Sequence, residues 1–498
     1  MNNPNMLNTY LGQKGYTLFK KELSTEQHKF IQSELTAKPY TPGAPGTNTQ
    51  STTFPVYRES SQKYYMPRYF GEAHFGPAKE CRIPEGLDID IKFAGELRDN
   101  QKPVVKTYLD QVQKNGNTGG GLLELPCAYG KTTISLHICS QLKKKTLIIV
   151  HKEFLLNQWV ERIQQFLPGA RVGRIQGQIV DIEDKDIVIG MLQSLSMKDY
   201  HESTFQSFGL TIIDEVHHIS SEVFSCALFK IVTKYTLGLS ATMNRKDGTT
   251  KVFKMFLGEV VFKGKRDEEH DVVVRAIEYV SNDPEFKTVA TDFRGNVQYS
   301  TMISKLCAFN HRSEFILLVL SDMLKENPAQ QIMILAHNRN LLTYFHDAIK
   351  TRNIATVGYY VGGMKEAALK ESESKKIIIA TFSMAQEALD IRTLTSLIMA
   401  TPKTDIEQAV GRILRERHSS PIVVDIIDEH QPFKNQWAKR KIFYKKQNYK
   451  IIQTTNIDYD PDIRFWKHMS SNKKEKEKPC PKSDEALLET CLIKLPKK

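Results

Sequence analysis

Three groups of residues in this 498-residue chain have types and spacings that could do chemistry. The first is Gly130-Lys131-Thr132, which follows the apolar stretch Leu122 to Pro126 and precedes another, Thr133 to Leu142. The order strand, loop, Gly-Lys-Thr, helix sets backbone N–H groups and a helix N-terminus around a phosphate. Lys131 would then reach the β- and γ-phosphates of a nucleotide, and the Thr132 hydroxyl would hold Mg²⁺. The full G-x-x-x-x-G-K-[ST] pattern is absent, because Leu125 stands at its first glycine. Taken alone, the tripeptide also reads as a helix start that happens to carry a lysine.

The second group is Asp214-Glu215-Val216-His217-His218, directly after the apolar run Leu210 to Ile213. Two adjacent carboxylates at a strand end repel each other unless they face a cation. Asp214 is suited to hold Mg²⁺ through water, and Glu215 to orient or deprotonate an attacking water. The histidines do not form HExxH and have no third ligand at a familiar spacing. His217 reads as a polar link from the nucleotide site to the rest of the protein. His218 reads as a cap or packing residue. The third group is Arg412 and Arg415, three apart in Gln408 to Arg415 and so on one face of a helix. Guanidinium groups of this kind stabilise a γ-phosphate in transfer, or simply pair with neighbours such as Glu416.

These residues need elements to position them. Leu147 to Val150, Ile187 to Gly190 and Leu210 to Ile213 are short apolar runs and read as buried parallel strands. Residues 101–114, 154–166 and 223–234 carry helical periodicity between them. Strands recur at Ile332 to Leu335, Ile377 to Ala380, Ser396 to Met399 and Ile422 to Asp425. The fold expected is α/β, with two tandem domains of parallel sheet flanked by helices. The alternation weakens between about 265 and 300, and the second α/β repeat is plainest over roughly 301–430. The expected domains are an N-terminal accessory region 1–90, domains 91–265 and 266–450, and a basic, partly disordered tail 451–498. Residues 40–53 read as a loop. The aromatic stretch Tyr64 to Gly71 reads either as core of the small domain or as a base-stacking surface beside Arg68, with core favoured.

Composition limits the partners. Lys and Arg number 69 against 57 Asp and Glu, a net +12. Residues 431–498 hold 17 Lys/Arg and 8 Asp/Glu, an excess of +9. That excess permits a polyanion partner, or a solvated tail. Asn472 to Pro481 should be disordered, and Ala486 to Leu488 could be a last helical turn or a docking peptide. No apolar run reaches the length of a membrane span, and the start is not a secretory signal. The seven cysteines form no CxxC and no zinc-ligand spacing, which fits a reducing compartment without structural zinc.

Taken together, the groups resemble a superfamily 2 helicase of the DExH type, in the XPB-like and phage UvsW-like group, over about residues 91–450. Leu97 to Gln101 resembles its adenine-reading Q motif, which implies that Gln101 contacts the base and Arg98 stacks on it. Pro126 to Thr132 resembles motif I, so Ala128, Tyr129, Gly130, Lys131 and Thr132 would surround the nucleotide; Ala128 stands where glycine is usual. Val150-His151 through Gln158-Trp159 and Gly190 to Leu195 resemble strand-contacting motifs. Asp214 to His217 is similar to the DExH box, Leu239 to Thr242 to motif III with Arg245 to Gly248 behind it, and Ile334 to His337 to motif IV. Ala380 to Ile391 is similar to motif V, with Asp390 at the nucleotide and Ala388 in place of a glycine; Thr381, Ser383 and Gln193 would touch phosphates. Gln408 to Arg415 resembles motif VI, and Arg440 to Lys446 a closing helix of viral and phage enzymes. The size, the Pro67 to Gly71 segment and the lysine-rich tail look most like the helicases of nucleocytoplasmic large DNA viruses, the poxvirus transcript-release helicase among them.

The resemblance implies an ATP- and Mg²⁺-dependent motor on nucleic acid, with Lys131, Asp214, Glu215, His217, Arg412 and Arg415 in its machinery and Thr132 and Asp214 at the metal. It implies movement 3′ to 5′, duplex DNA as first substrate, and a role in viral transcription, replication or repair. An RNA helicase or transcript-release factor is the first alternative. A structural virion or transcription-complex component with secondary ATPase activity is the second. RNA polymerase or transcription factors are the expected protein partners, and no membrane is expected. The expected location is a virus factory in host cytoplasm and the virion, or otherwise nucleus or cytoplasm.

Overall fold

The structure is a computed structural model that describes residues 7–40, 53–116, 118–126, 129–218, 221–243, 248–264, 271–387, 391–414 and 420–469. The chain divides into two compact units, Met1–Asp267 and Glu268–Lys498.

The first unit holds two sheets. Strands Arg58–Glu59, Lys63–Met66, Gly15–Phe19, Thr9–Gly12 and Glu80–Cys81 form a five-stranded sheet in that order. All its pairs are antiparallel except the last. Its inner face carries Leu11, Tyr16, Leu18, Tyr64 and Met66, all buried. Tyr16 packs so closely on the helix Arg68–Phe75 that a Cβ at Gly71 would lie 2.1 Å from its ring. Tyr64, Phe70 and Phe75 are therefore core residues, as aromatic side chains in a small domain usually are.

The second sheet has eight strands in the order Ile179–Val180, Val172–Gln176, Ile187–Met191, Thr146–Val150, Leu210–Ile213, Tyr235–Ser240, Gly119–Glu124 and Val260–Lys263. Every pair but the first is parallel. Helices Lys102–Lys114, Lys131–Leu142 and Glu153–Phe166 follow the expected periodicity. The helix expected over 223–234 is shorter, Ser221–Leu228. Ile231, Val232 and Thr233 are β-branched and disfavour helix. Thr233 turns the chain into the next strand by hydrogen bonds to Thr211 Oγ1 and to the Tyr235 carbonyl.

The second unit repeats the plan. Its eight strands run Val357–Tyr360, Ile377–Thr381, Gln331–Ala336, Leu394–Met399, Ile422–Asp428, Val273–Tyr279, Lys450–Thr455 and Lys467–His468, parallel except for the last pair. Three strands depart from the sequence reading. Val273–Tyr279 lies where the alternation weakens, yet it sits inside the sheet between two partners. Lys450–Thr455 and Lys467–His468 extend the sheet into the segment expected to be tail. The first of these is only partly buried, so its apolar signal is confined to Ile451 and Ile452. Residues 41–52 of the loop expected over 40–53, and residues 470–498 of the expected tail, with Asn472 to Pro481 and Ala486 to Leu488, lie outside the described residues. No described helix is long and apolar enough to cross a membrane.

Candidate nucleotide site

Sheet order brings the site together. The strand Tyr235–Ser240 lies between Gly119–Glu124 and Leu210–Ile213, with Ser240 opposite Glu124 and Gly238 opposite Ile213. The carboxyl ends of three adjacent parallel strands therefore deliver the phosphate loop, the Ser240 turn and the Asp214-Glu215 pair to one edge. In open α/β sheets that edge is where ligands bind.

Lys131 begins the helix after the loop, behind Gly130 in a left-handed conformation (φ +88°). Its Nζ lies 2.5 Å from Glu215 Oε1, with both side chains mostly buried. Glu215 reaches this position from a left-handed backbone, φ +48°, a strained setting for a side chain with a Cβ. Asp214 is buried. Its Oδ2 accepts from Trp159 Nε1 at 3.0 Å and its Oδ1 from the Glu215 N–H at 3.0 Å. Burial, and then the neighbouring Glu215 charge, push its carboxyl up to about 6; Lys131 and the two hydrogen bonds act the other way. A cation arriving here would be met by two carboxylates, one of them held near its protonation threshold.

His217 follows in a short turn, Val216–His218. Its Nδ1 lies 2.7 Å from Ser240 Oγ and 3.3 Å from Glu215 Oε2. Ser240 Oγ in turn donates to the Thr242 carbonyl at 2.5 Å. A continuous polar chain thus runs from Lys131 through Glu215 and His217 to the Ser240 turn.

The adenine-reading candidates are tied to the loop itself. Arg98 Nη2 donates to the Tyr129 carbonyl at 2.6 Å and Gln101 Nε2 to the same oxygen at 2.9 Å. Gln101 Oε1 accepts from the Arg98 N–H at 3.0 Å, and the side chain is buried. Tyr129 Oη donates to the Asn100 carbonyl. A Cβ at Gly130 would lie 2.2 Å from Gln101 Nε2, so this close approach requires glycine. In this conformation both polar ends of Gln101 are engaged within the protein. Reading a base would mean exchanging at least one of those bonds.

Of the residues singled out in the sequence, Arg98, Gln101 and Tyr129 form one bonded group and Lys131, Asp214, Glu215 and His217 another, joined along the chain through Gly130, with Thr132 in the first turn of the helix. Ala128, Asp390 and Arg415 lie outside the described residues, as do Arg245 to Asp247 and Ala388. Arg412 belongs to the second unit. There the helix Glu407–Gly411 tightens into a 3₁₀ turn, Arg412–Leu414, directly before Arg415. In that unit His337 Nδ1 lies 2.8 Å from Thr401 Oγ1, and Thr381 Oγ1 lies 3.3 Å from Ser383 Oγ. The Trp159–Asp214 bond and the His217–Ser240 pair were not read from the sequence. A buried indole N–H needs an acceptor, and that need is the only signal that could have pointed from Trp159 to a buried carboxylate.

Comparison with known proteins points to the family of the chain. Residues 94–245 match the family described as the res subunit of type III restriction enzymes. A protein of Acanthamoeba polyphaga mimivirus, provisionally named an ATP-dependent RNA helicase, is 33% identical over 459 residues, covering 90% of this chain and 87% of that protein. A provisionally named helicase of Invertebrate iridescent virus 6 is 26% identical over 73% of this chain and 85% of its own length. An African swine fever virus protein, again provisionally named an ATP-dependent RNA helicase, is 29% identical over 69% of this chain and 73% of its own. With a nucleotide site of this build and a relative matched along nearly its whole length, the chain belongs to the superfamily 2 helicases represented in large DNA viruses, ATP-hydrolysing enzymes that act on nucleic acid.

Proposed function

We propose that this helicase moves along duplex DNA, 3′ to 5′, in viral transcription, replication or repair. The observation that carries the motor reading is the Lys131–Glu215 ion pair beside buried Asp214, tied through His217 to Ser240. ATP is the substrate. Its γ-phosphate would draw Lys131 away from Glu215 and leave that carboxylate to orient water. The donor set fits Mg²⁺, which prefers hard oxygen ligands: the Thr132 hydroxyl and the Asp214 carboxylate would hold it. Bound there, Mg²⁺ would neutralise charge on the phosphates. Arg412 and Arg415 enter this reading as cations acting on charge that develops in transfer, an assignment supported by the resemblance of their motif.

A second reading, RNA as the track, is supported by the names of the mimivirus and African swine fever virus relatives. A transcript-release role, with RNA polymerase or a transcription factor as partner, belongs to that reading. Either role would place the enzyme in a cytoplasmic virus factory and in the virion. The deciding experiment is steady-state ATPase with single-stranded DNA, duplex DNA, RNA and RNA–DNA hybrid, followed by displacement assays with overhangs of each polarity. Stimulation foremost by duplex DNA with 3′ to 5′ displacement is expected. Stimulation by RNA alone would replace the first reading with the second, and no stimulation by any of them would overturn both.

A further inference from the structure

The five-stranded sheet of the first unit has a second face that the nucleotide site does not use. Residues paired across neighbouring strands share a face. One such row runs Arg58, Tyr65, Thr17, Tyr10 and Glu80, and the next pairs Lys63 with Phe19. The opposite rows send Leu11, Tyr16, Leu18, Tyr64 and Met66 into the core, whereas of the residues in these rows only Thr17 is buried. Tyr10, Phe19, Lys63 and Tyr65 are part-exposed, and Lys14, Arg58, Glu80 and Arg82 are exposed.

On this face the cations stand on aromatic rings. Lys63 Nζ lies 5.3 Å from the Tyr10 ring centre and 4.8 Å from that of Phe19, and it donates to Tyr10 Oη at 3.2 Å. The Arg82 guanidinium lies 4.2 Å from the Tyr10 ring, and Lys14 Nζ 5.8 Å from that of Tyr65. At the edge, Arg58 lies 5.2 Å from the ring of Phe229. Two carboxylates face the same groups: Glu80 at 2.5 Å from Arg82 and Glu202 at 3.3 Å from Lys14. Four cations against two anions leave the face positive.

Long cationic side chains are normally mobile, and fixing them costs rotamer entropy. Here the rings hold four of them in place before any ligand arrives. The rings are covered by those cations, which leaves charge, rather than an open stacking surface, to meet a partner. We infer that this face is a second grip on the phosphate backbone of the nucleic-acid track, indifferent to base sequence. Fixed positive groups spaced over a sheet suit a phosphodiester chain, whose charges repeat along its length. The inference rests on the reading that the enzyme acts on nucleic acid, and it gives the N-terminal sheet a role in that action.

The test is the slope of log affinity against log salt for the full chain on single-stranded and duplex DNA of two unrelated sequences. The variant K14M/K63M/R82M keeps the apolar stems and removes three charges. Each lost phosphate contact lowers the slope by about 0.7 on single strands and about 0.9 on duplex, so a total drop of roughly two to three is expected. The fall should be equal for both sequences, with ATPase in the absence of nucleic acid unchanged. K14R/K63R/R82K should keep the slope. If the triple variant does not fold, K63M alone is read for a drop of about 0.7 to 0.9. Wild-type binding with identical slopes in wild type and folded variant overturns the inference and leaves the surface to an acidic protein partner. Failure of the wild type to bind nucleic acid would instead overturn the motor reading.

Discussion

The Nδ1 of His217 lies 2.7 Å from the Oγ of Ser240, so the turn that follows the Asp214-Glu215 pair is joined to the end of the neighbouring strand. His217 also faces Glu215, and Ser240 also bonds within its own turn to Thr242. Any movement of Glu215 on nucleotide binding would thereby be felt at Ser240. S240A removes the hydroxyl and leaves Lys131, Asp214 and Glu215 in place. We expect unstimulated ATPase within about twofold of wild type and stimulation by nucleic acid reduced about 5- to 100-fold, the range of ordinary coupling energies. Equal loss of stimulated and unstimulated rates would mean that Ser240 serves hydrolysis itself.

Lys131 cannot serve Glu215 and a γ-phosphate fully at once. In the structure the carboxylate holds the ammonium at 2.5 Å and would compete with ATP for it. E215Q removes that competition and the water-orienting group together. It should bind ATP at least as tightly as wild type and turn over ~100-fold more slowly or worse. K131A should weaken both binding and turnover. Fluorescent-nucleotide titration beside an ATPase assay checks both, and wild-type turnover by E215Q would remove Glu215 from its proposed role.

The parallel strands were legible because they are buried on both faces and read as unbroken apolar runs, Leu147 to Val150 and Ile377 to Ala380 among them. The lysine and the carboxylates were legible because a loop-helix start and a strand end dictate where such groups can act. What stayed hidden depends on sheet order. Nothing in the sequence places Tyr235–Ser240 between the two functional strands, so the His217–Ser240 bond could not be foreseen. Lys450–Thr455 was hidden for another reason: beyond Ile451 and Ile452 it is polar and only part-buried, and it reads as tail. The aromatic segment misleads in a third way. Alternation along Lys63–Met66 sends Tyr64 into the core and Tyr65 to the outer face, which composition cannot resolve.

Asp214 makes a pH prediction. Its carboxyl titrates at about 6 in the folded protein, above the usual 3.8, first because it is buried and next because Glu215 is beside it. The folded state therefore holds this proton more tightly than the unfolded chain does. Its contribution to stability is present at low pH and is lost as pH rises from about 4 through about 6. At neutral pH the buried, ionised group therefore destabilises the fold. D214N does not titrate. The difference in Tm between D214N and wild type should move in favour of D214N by several degrees from pH 4 to pH 7. A difference that does not change across this window would show that Asp214 titrates normally.

The strand Ile422–Asp428 carries a carboxylate to each face of the second unit's sheet. Asp425 meets Arg440 in a two-pronged pair at 2.8 Å and accepts from Tyr444 Oη at 2.9 Å, both from the helix Gln431–Lys446. Asp428 meets Arg312 of the helix Asn310–Glu326 at 2.6 and 2.9 Å, with both side chains fully buried. The two pairs fasten helices to opposite sides of one strand. They differ in completeness: Arg312 Nη1 is buried with no hydrogen-bond partner among the described residues, whereas Arg440 Nη1 donates to the Lys403 carbonyl. A buried pair with a group left over gains little over an apolar replacement, but losing one partner strands a charge. D428N alone should cost about 3 to 5 kcal/mol, and R312M/D428L should recover most of that loss. Hydrogen exchange over Ile422–Asp428 in urea reads the effect locally, apart from unfolding of the first unit. Equal destabilisation by the single and double substitutions would mean that the pair itself, and not the stranded charge, holds the helix Asn310–Glu326 to the sheet.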